Sequence, residues 1–348
     1  MTAVFFATNR HQSGSPGQDV FGGDPPADQA SRLWLGVAEV STGGGPAQAR
    51  QVRQVACTGR DDFAPGGSCG DLLDRFLAAA GDAEAVPLLY IHGFQYSFEE
   101  ALARTGELVE WYEATGAVRL VPLLFTWPSR GSLSAEAYRQ DSGSARAAGP
   151  ALGRLLQELA SRSRAPRRFC ILAHSMGAHA LRHGLQAALA GWGGSVPRFV
   201  RTAILAAGDT DADVLERGRD LAPLAEMAEQ VIATVYAQDK ISGWIGAGKG
   251  NALSLATDGP PLNGALSANV FALDVAFVTD ITLPAPGDQV VPNWIAHQYY
   301  RNQPAIADDL AMLLDGRRAP LPNWERYWPA TFRPGGVRQA PFYYYALS

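Results

Sequence analysis

Three residues far apart in the chain have the types and the order needed for nucleophilic catalysis: Ser175, Asp239 and His297. A serine hydroxyl is a poor nucleophile unless a base stands within hydrogen-bond reach, and that base needs an acid to orient it. Ser175 lies in Ala173-His-Ser-Met-Gly177, where the apolar run Phe169-Cys-Ile-Leu-Ala173 gives way to Ala- and Leu-rich helical sequence. That order predicts a strand, a tight turn and a helix, a nucleophile elbow that lifts the hydroxyl off the sheet edge. The positions two places before and after the serine must be small, because side chains there would meet the strand and the helix. Ala173 stands where glycine is commoner, and Gly177 is intact.

In this architecture the acid and then the histidine follow the serine in the chain. Six histidines are present, and of these only His297 follows both Ser175 and a strand-ending acid. Asp239 closes the apolar run that starts at Val231 and is the expected acid. Asp209, Asp211 and Asp213 follow the preceding strand and remain alternatives, as do Asp274, Asp280 and Asp288. The tetrahedral intermediate of acyl transfer needs fixed backbone donors for its oxyanion, one from the residue after the nucleophile and one from a loop after an early strand. Those donors are expected to be Met176 and Phe94, the latter in His92-Gly-Phe-Gln95, with Gln95 as the alternative. Gln95, Tyr96, Trp127 and Trp294 are expected to contact substrate, and Phe94, Met176, Trp244 and Tyr299 could add to an aromatic wall. Such a wall implies a substrate with an apolar part.

The elements that must carry these residues alternate. Apolar, β-branched runs at Val4–Arg10, Leu33–Ser41, Val86–Gly93, Arg119–Trp127, Phe199–Ala207, Gln230–Gln238 and Asn269–Val278 predict strands, with the elbow strand starting near Arg168. Residues 42–68 read as a surface loop with one short strand around Val52–Cys57. Helices are expected at Asp71–Ala80, from the capping box Ser97-Phe-Glu-Glu100 onward, through Leu152, Leu155, Leu156 and Leu159, at Asp209–Ala228 and at Asn302–Leu314. Alternation of this kind predicts an α/β fold with a mostly parallel sheet covered on both faces. The expected organisation is one domain over 1–348: edge strands and loop in 1–68, a catalytic core in 86–316 and an extended aromatic tail in 317–348. The short connection after Ala207 leaves room for one helix, so no large lid domain and an open site are expected.

Composition narrows the function classes. The chain has 348 residues, is 47% hydrophobic and carries a formal net charge of −5, with no basic block, so nucleic acid is not an expected partner. No run approaches the length of a membrane span, and the first residues read as a strand rather than a secretion signal. Three cysteines in such a chain are expected to be free thiols in a cytoplasmic setting. His179 and His183 share a helical spacing without the glutamate pattern of a zinc site, so no metal is expected.

The chain resembles the α/β-hydrolase superfamily over roughly residues 86–316, and more narrowly an uncharacterised bacterial serine-hydrolase family within it. The residues that carry the resemblance are Phe5-Phe-Ala-Thr-Asn-Arg10, His92-Gly-Phe-Gln95 with Ser97-Phe98, and Trp127-Pro-Ser129. To these are added Tyr138 with Asp141, Ala173-His-Ser-Met-Gly177, and Tyr236 with Asp239. Gln95, where asparagine is expected, and Gln298, where serine is commoner, are departures. The resemblance implies an esterase- or lipase-like enzyme that needs neither a metal nor an organic cofactor and acts on a small-molecule ester. A thioesterase, amidase or acyltransferase would use the same three side chains, and a non-catalytic binding protein could be built on the same scaffold.

Overall fold

A computed structural model describes residues 1–13, 20–24, 32–41, 51–82, 85–130, 134–163, 169–237, 239, 253–260, 266–275, 297–327 and 342–345. The described strands are β1 (Thr2–Thr8), β2 (Trp34–Val40), β3 (Val52–Arg60), β4 (Val86–Ile91), β5 (Leu120–Thr126), β6 (Phe169–His174), β7 (Val200–Ala206), β8 (Ala228–Val235), β9 (Val270–Asp274), β10 (Trp324–Tyr327) and β11 (Phe342–Tyr345). The described helices are α1 (Ser68–Asp82), α2 (Phe98–Ala114), α3 (Ala135–Ala147), α4 (Gly149–Arg162), α5 (Met176–Gly191), α6 (Ala222–Met227), α7 (Leu255–Asp258), α8 (Tyr299–Asn302) and α9 (Pro304–Asp315).

All eleven strands lie in one sheet, in the order β10-β11-β9-β8-β7-β6-β4-β5-β1-β2-β3. From β11 to β1 every neighbouring pair is parallel, and antiparallel pairs close both ends. Central parallel strands are covered on both faces and therefore read as unbroken apolar runs. Every residue of β4 and β6 is buried. Side chains alternate across a strand, so Leu89, Ile91, Ile171 and Ala173 join α1, α4 and α5 in one core. Leu88, Tyr90, Cys170 and Leu172 join α2 and α9 in the other. The expected capping box closes at α2: Glu100 N–H donates to Ser97 Oγ at 3.2 Å, and Ser97 N–H donates to Glu100 Oε2 at 2.9 Å.

Register decides what meets at the catalytic edge. Thr8 lies beside Thr126 where β1 runs parallel to β5, so Asn9 and Arg10 emerge next to Trp127–Ser129. The N-terminal strands are thus sheet edge, as expected, and they deliver side chains to the same end of the sheet as Ser175.

Four readings differ from the structure. Asp209–Ala228 is not one helix; only Ala222–Met227 is, because successive turns capture the intervening backbone (Val214 N–H to Asp211 C=O, Glu216 N–H to Asp213 C=O) and Gly218 takes φ 82°. Helix α3 was not anticipated, since it buries only Ala137, Asp141, Ser144 and Ala145 and shows no broad apolar stripe. The expected short strand in the 42–68 loop extends to Arg60. The aromatic tail supplies two strands: Phe342–Tyr345 pairs parallel to β9 and antiparallel to Trp324–Tyr327. All three cysteines are free thiols, and among the described residues no helix is long and apolar enough to cross a membrane.

Helices α4 and α5 pack closely because glycines face each other's side chains. A Cβ on Gly153 would stand 2.7 Å from Ala187 Cβ and 2.8 Å from Gly184 C=O. Gly153→Val should therefore overpack this seam and lower stability by about 1–3 kcal/mol, read as a reduced urea midpoint at unchanged m-value.

Candidate active site

Ser175 sits between β6 and α5 with φ 52° and ψ −122°, a conformation that persists only where the surroundings over-determine it. Its N–H donates to Ala206 C=O at 2.9 Å, and its C=O accepts from Ala178 and Asp209 N–H, both at 3.0 Å. The glycine two residues on is obligatory: a Cβ on Gly177 would stand 2.3 Å from Ile91 C=O and 2.8 Å from His92 C=O. Gly93 permits the same intimacy from the other side, since a Cβ there would lie 3.1 Å from Ser175 Cβ. The Ser175 hydroxyl is buried and makes no hydrogen bond.

Asp239 and His297 come together across 58 residues of chain. His297 Nδ1 donates to Asp239 Oδ2 at 2.6 Å, and both side chains are almost wholly buried. A carboxylate can only accept, so the proton sits on Nδ1 and Nε2 is the basic nitrogen. The alternative acids are engaged elsewhere. Asp209 accepts from Tyr138 Oη at 2.6 Å, Asp211 pairs with Arg182, and Asp213 pairs with Arg219. Asp274 ends β9, and Asp280 and Asp288 lie outside the described residues.

His297 is fixed from its C-terminal side and from the elbow itself. His174 Nε2 donates to His297 C=O at 3.2 Å, and the two rings lie 4.9 Å apart. Tyr299 Oη bonds Thr234 Oγ1 at 2.6 Å and accepts Ala207 N–H at 3.0 Å. Tyr300 Oη bonds Tyr90 Oη at 2.9 Å, and its C=O accepts from Tyr112 Oη at 2.8 Å. These anchors were missed in the sequence, although the tyrosine pair at 299 and 300, one residue beyond His297, was a usable signal. Tyr299 is accordingly a buried strut and not part of a substrate wall.

The loop after β4 is held just as firmly. His92 Nδ1 donates to Gly93 C=O at 2.6 Å, and its Nε2 accepts from Thr126 Oγ1 at 2.9 Å. Trp127 is fully buried, stacks on His92 at 5.2 Å and donates from Nε1 to His92 C=O at 3.3 Å. It thus acts on the site through His92 and presents no surface to a substrate. Gln95 gives its N–H to Asp141 at 3.4 Å, which removes it as the alternative oxyanion donor. Phe94 lies beside the elbow with its ring edge-on to Tyr138 at 5.6 Å, and Met176 opens α5, where an N–H has no acceptor within the helix. Tyr96 Oη accepts from Gln298 Nε2 at 3.2 Å. Trp244 and Trp294 lie outside the described residues. Ser175 and His297 each expose 1%, with the Gly93 turn folded against the serine; the stretches that bear on the expected open site, after Asp239 and before His297, lie largely outside the described residues. Asp141 does not pair with the guanidinium of Arg130 or Arg139, which bond Asp24 and Glu136.

Among the described residues no group of three or more His, Cys, Asp or Glu side chains is placed to hold a metal. Residues 73–240 match the model of a family described as an alpha/beta hydrolase of unknown function (DUF900). No curated protein matches the chain in sequence. The matched residues include the Gly93 loop, the elbow and Asp239, and end before His297.

Burial holds two of the three histidines at this edge neutral. It pushes His92 down to about 3, helped by the Arg10 charge, and pushes His174 well below the ordinary range, helped by its neighbour His297. Below about pH 6.5 the unfolded chain therefore takes up a proton that folded His92 refuses until about pH 3. Stability should fall across that window as pH drops, by up to roughly 1.4 kcal/mol per pH unit for this group. Urea unfolding of wild type and His92→Gln at pH 7 and pH 4 checks this: the variant should lose less stability on acidification, and equal losses would contradict a neutral His92.

Proposed function

We propose that the chain, a member of the α/β-hydrolase superfamily by its sheet and by the family match, is a serine hydrolase that cleaves carboxylic esters through an acyl-enzyme. The observation that carries this reading is the buried His297–Asp239 bond, 2.6 Å long, at the sheet end that bears the strained Ser175. In this reading Ser175 Oγ attacks the ester carbonyl while His297 Nε2 accepts its proton. Asp239 keeps the imidazole in the required tautomer and stabilises the imidazolium. The carbonyl oxygen becomes an oxyanion facing the N–H groups of Phe94 and Met176. Collapse of the intermediate expels the alcohol, protonated by His297. Water, deprotonated by His297, then attacks the acyl-enzyme, and the carboxylic acid leaves as Ser175 regains its proton. Phe94 and Tyr138 beside the elbow favour a small-molecule ester with an apolar part.

Short- and long-chain p-nitrophenyl esters and a fluorophosphonate probe test the reading. Wild type should turn over and be labelled, and Ser175→Ala should do neither. Asp239→Asn should lower kcat by about 10⁴-fold, whereas Asp209→Asn, removed from His297, should cost far less. Activity surviving in Ser175→Ala would rule out the nucleophile. A wild type that neither turns over nor labels would favour a binding protein on this scaffold.

A further inference from the structure

The turn from His92 to Ser97 is held by polar bonds from three separate parts of the chain. Gln95 has φ 72°, a left-handed conformation that a residue other than glycine keeps only when its neighbours hold it there. Its N–H reaches Asp141 Oδ2 at 3.4 Å. The next N–H, of Tyr96, donates to Ser129 Oγ at 3.2 Å, and Ser129 Oγ donates to the same Asp141 oxygen at 2.5 Å. The other Asp141 oxygen accepts Arg130 N–H at 3.2 Å. From the far side Arg10 Nη2 donates to Tyr96 C=O at 2.7 Å. Arg10 Nη1 reaches the carbonyls of Ser129 and Gly22, both at 3.3 Å, and Nε donates to Thr126 Oγ1 at 3.0 Å.

Arg10 exposes none of its surface and Asp141 exposes 1%. Burying either charge is costly, and apolar side chains of similar volume often stabilise a fold as well or better. What these two charges determine is local. Both converge on Ser129, whose carbonyl serves Arg10 and whose hydroxyl serves Asp141. Through it, and directly, they fix the peptide groups of Gln95 and Tyr96, the two residues that follow Phe94. An oxyanion donor works only when aimed at the place where charge develops, and a displacement of 1 Å costs about 10²-fold in rate.

We propose that Arg10 and Asp141 are positioning residues for the oxyanion loop, acting through Ser129 on Gln95 and Tyr96 so that the Phe94 N–H is held in line. The N-terminal strand, outside the matched residues 73–240, is then part of what makes the site competent. The proposal rests on the serine-hydrolase reading. It gives Phe5-Phe-Ala-Thr-Asn-Arg10, Trp127-Pro-Ser129 and Asp141 a common task.

The full-length chain carrying Asp141→Asn, Ser129→Ala or Arg10→Lys tests it, with Asp309→Asn as a control. Asp309 is a buried carboxylate in α9 that accepts from Asn323 and Trp324, remote from the elbow. The first three variants should lose about 10- to 100-fold in kcat with KM for a p-nitrophenyl ester unchanged. Affinity for phenylboronic acid, which becomes tetrahedral on the serine, should fall in parallel with kcat. Asp309→Asn should lower Tm and keep wild-type kcat. If Arg10→Lys does not fold, Ser129→Ala, which removes no charge, still decides. Wild-type kcat and boronate affinity in Ser129→Ala and Asp141→Asn would overturn the proposal, as would an equal kcat loss in Asp309→Asn. A wild type that is neither labelled by fluorophosphonate nor active would overturn the hydrolase reading, and this proposal with it. An active wild type with unaffected variants overturns this proposal alone.

Discussion

A hydroxyl can stand clear of the end of a parallel sheet only if the chain reverses there within one residue, and everything else at this site follows from that reversal. Ser175 makes it at φ 52°. The helix that follows then runs back so closely that its second residue lies against the carbonyls of Ile91 and His92, which only glycine allows. The contact works in both directions. It wedges the elbow against the end of β4, and it places the Gly93 turn beside the serine. A backbone strained in this way costs about 1–3 kcal/mol, and the Ala206 carbonyl that accepts the Ser175 N–H, together with the Ala178 and Asp209 N–H groups on the Ser175 carbonyl, holds it in place.

His297 arrives by a different logic. It opens a described segment that leads into α8 and α9, and the described residues that follow it anchor that segment. Tyr299 ties that segment to β7 and β8, Tyr300 to β4 and α2, and Arg301 to Glu107 on α2 at 2.6 Å. Two buried tyrosines in the same core, one bonded toward β8 and the other toward β4 and α2, act as a clamp, because each hydroxyl would be costly to bury without its partner. His174 adds a side-chain bond to the His297 carbonyl at 3.2 Å. The residue before Ser175 thus helps to hold His297, which couples elbow and imidazole more tightly than their 122-residue separation suggests.

Local chemistry was legible in the sequence, and long-range support was not. The elbow, the capped α2 and the buried parallel strands are each decided by neighbours a few residues away: small residues around a serine, Ser97 with Glu100, unbroken apolar runs. The pairing of His297 with Asp239 could be read because chain order in this architecture leaves few choices. The struts could not. Arg10, Ser129, Asp141 and Tyr299 carry no periodic signal, and their meaning depends on register, such as Thr8 falling beside Thr126. Trp127 was misplaced for the same reason: an aromatic residue at a strand end looks the same whether it faces a pocket or stacks under the loop. The stretch 209–228 failed differently, since its apolar spacing is compatible with a helix while Asp211, Asp213 and Gly218 drive turns.

Electrostatic selection among the histidines completes the picture. Three imidazoles, of His92, His174 and His297, lie at one end of the sheet, and in the proposed acyl transfer a single one becomes cationic. A second positive ring beside His297 would raise the energy of the imidazolium in that proposed reaction. The structure prevents this by giving His92 and His174 uncharged hydrogen-bond partners: a carbonyl and a threonine hydroxyl for His92, a carbonyl for His174. Burial then makes protonation of either unfavourable. His297 alone of the three receives a carboxylate. Among chemically identical side chains within a few ångströms, what sets His297 apart is therefore the partner at the second nitrogen and desolvation, both consequences of which backbone carbonyls the elbow and the Gly93 turn bring to the edge.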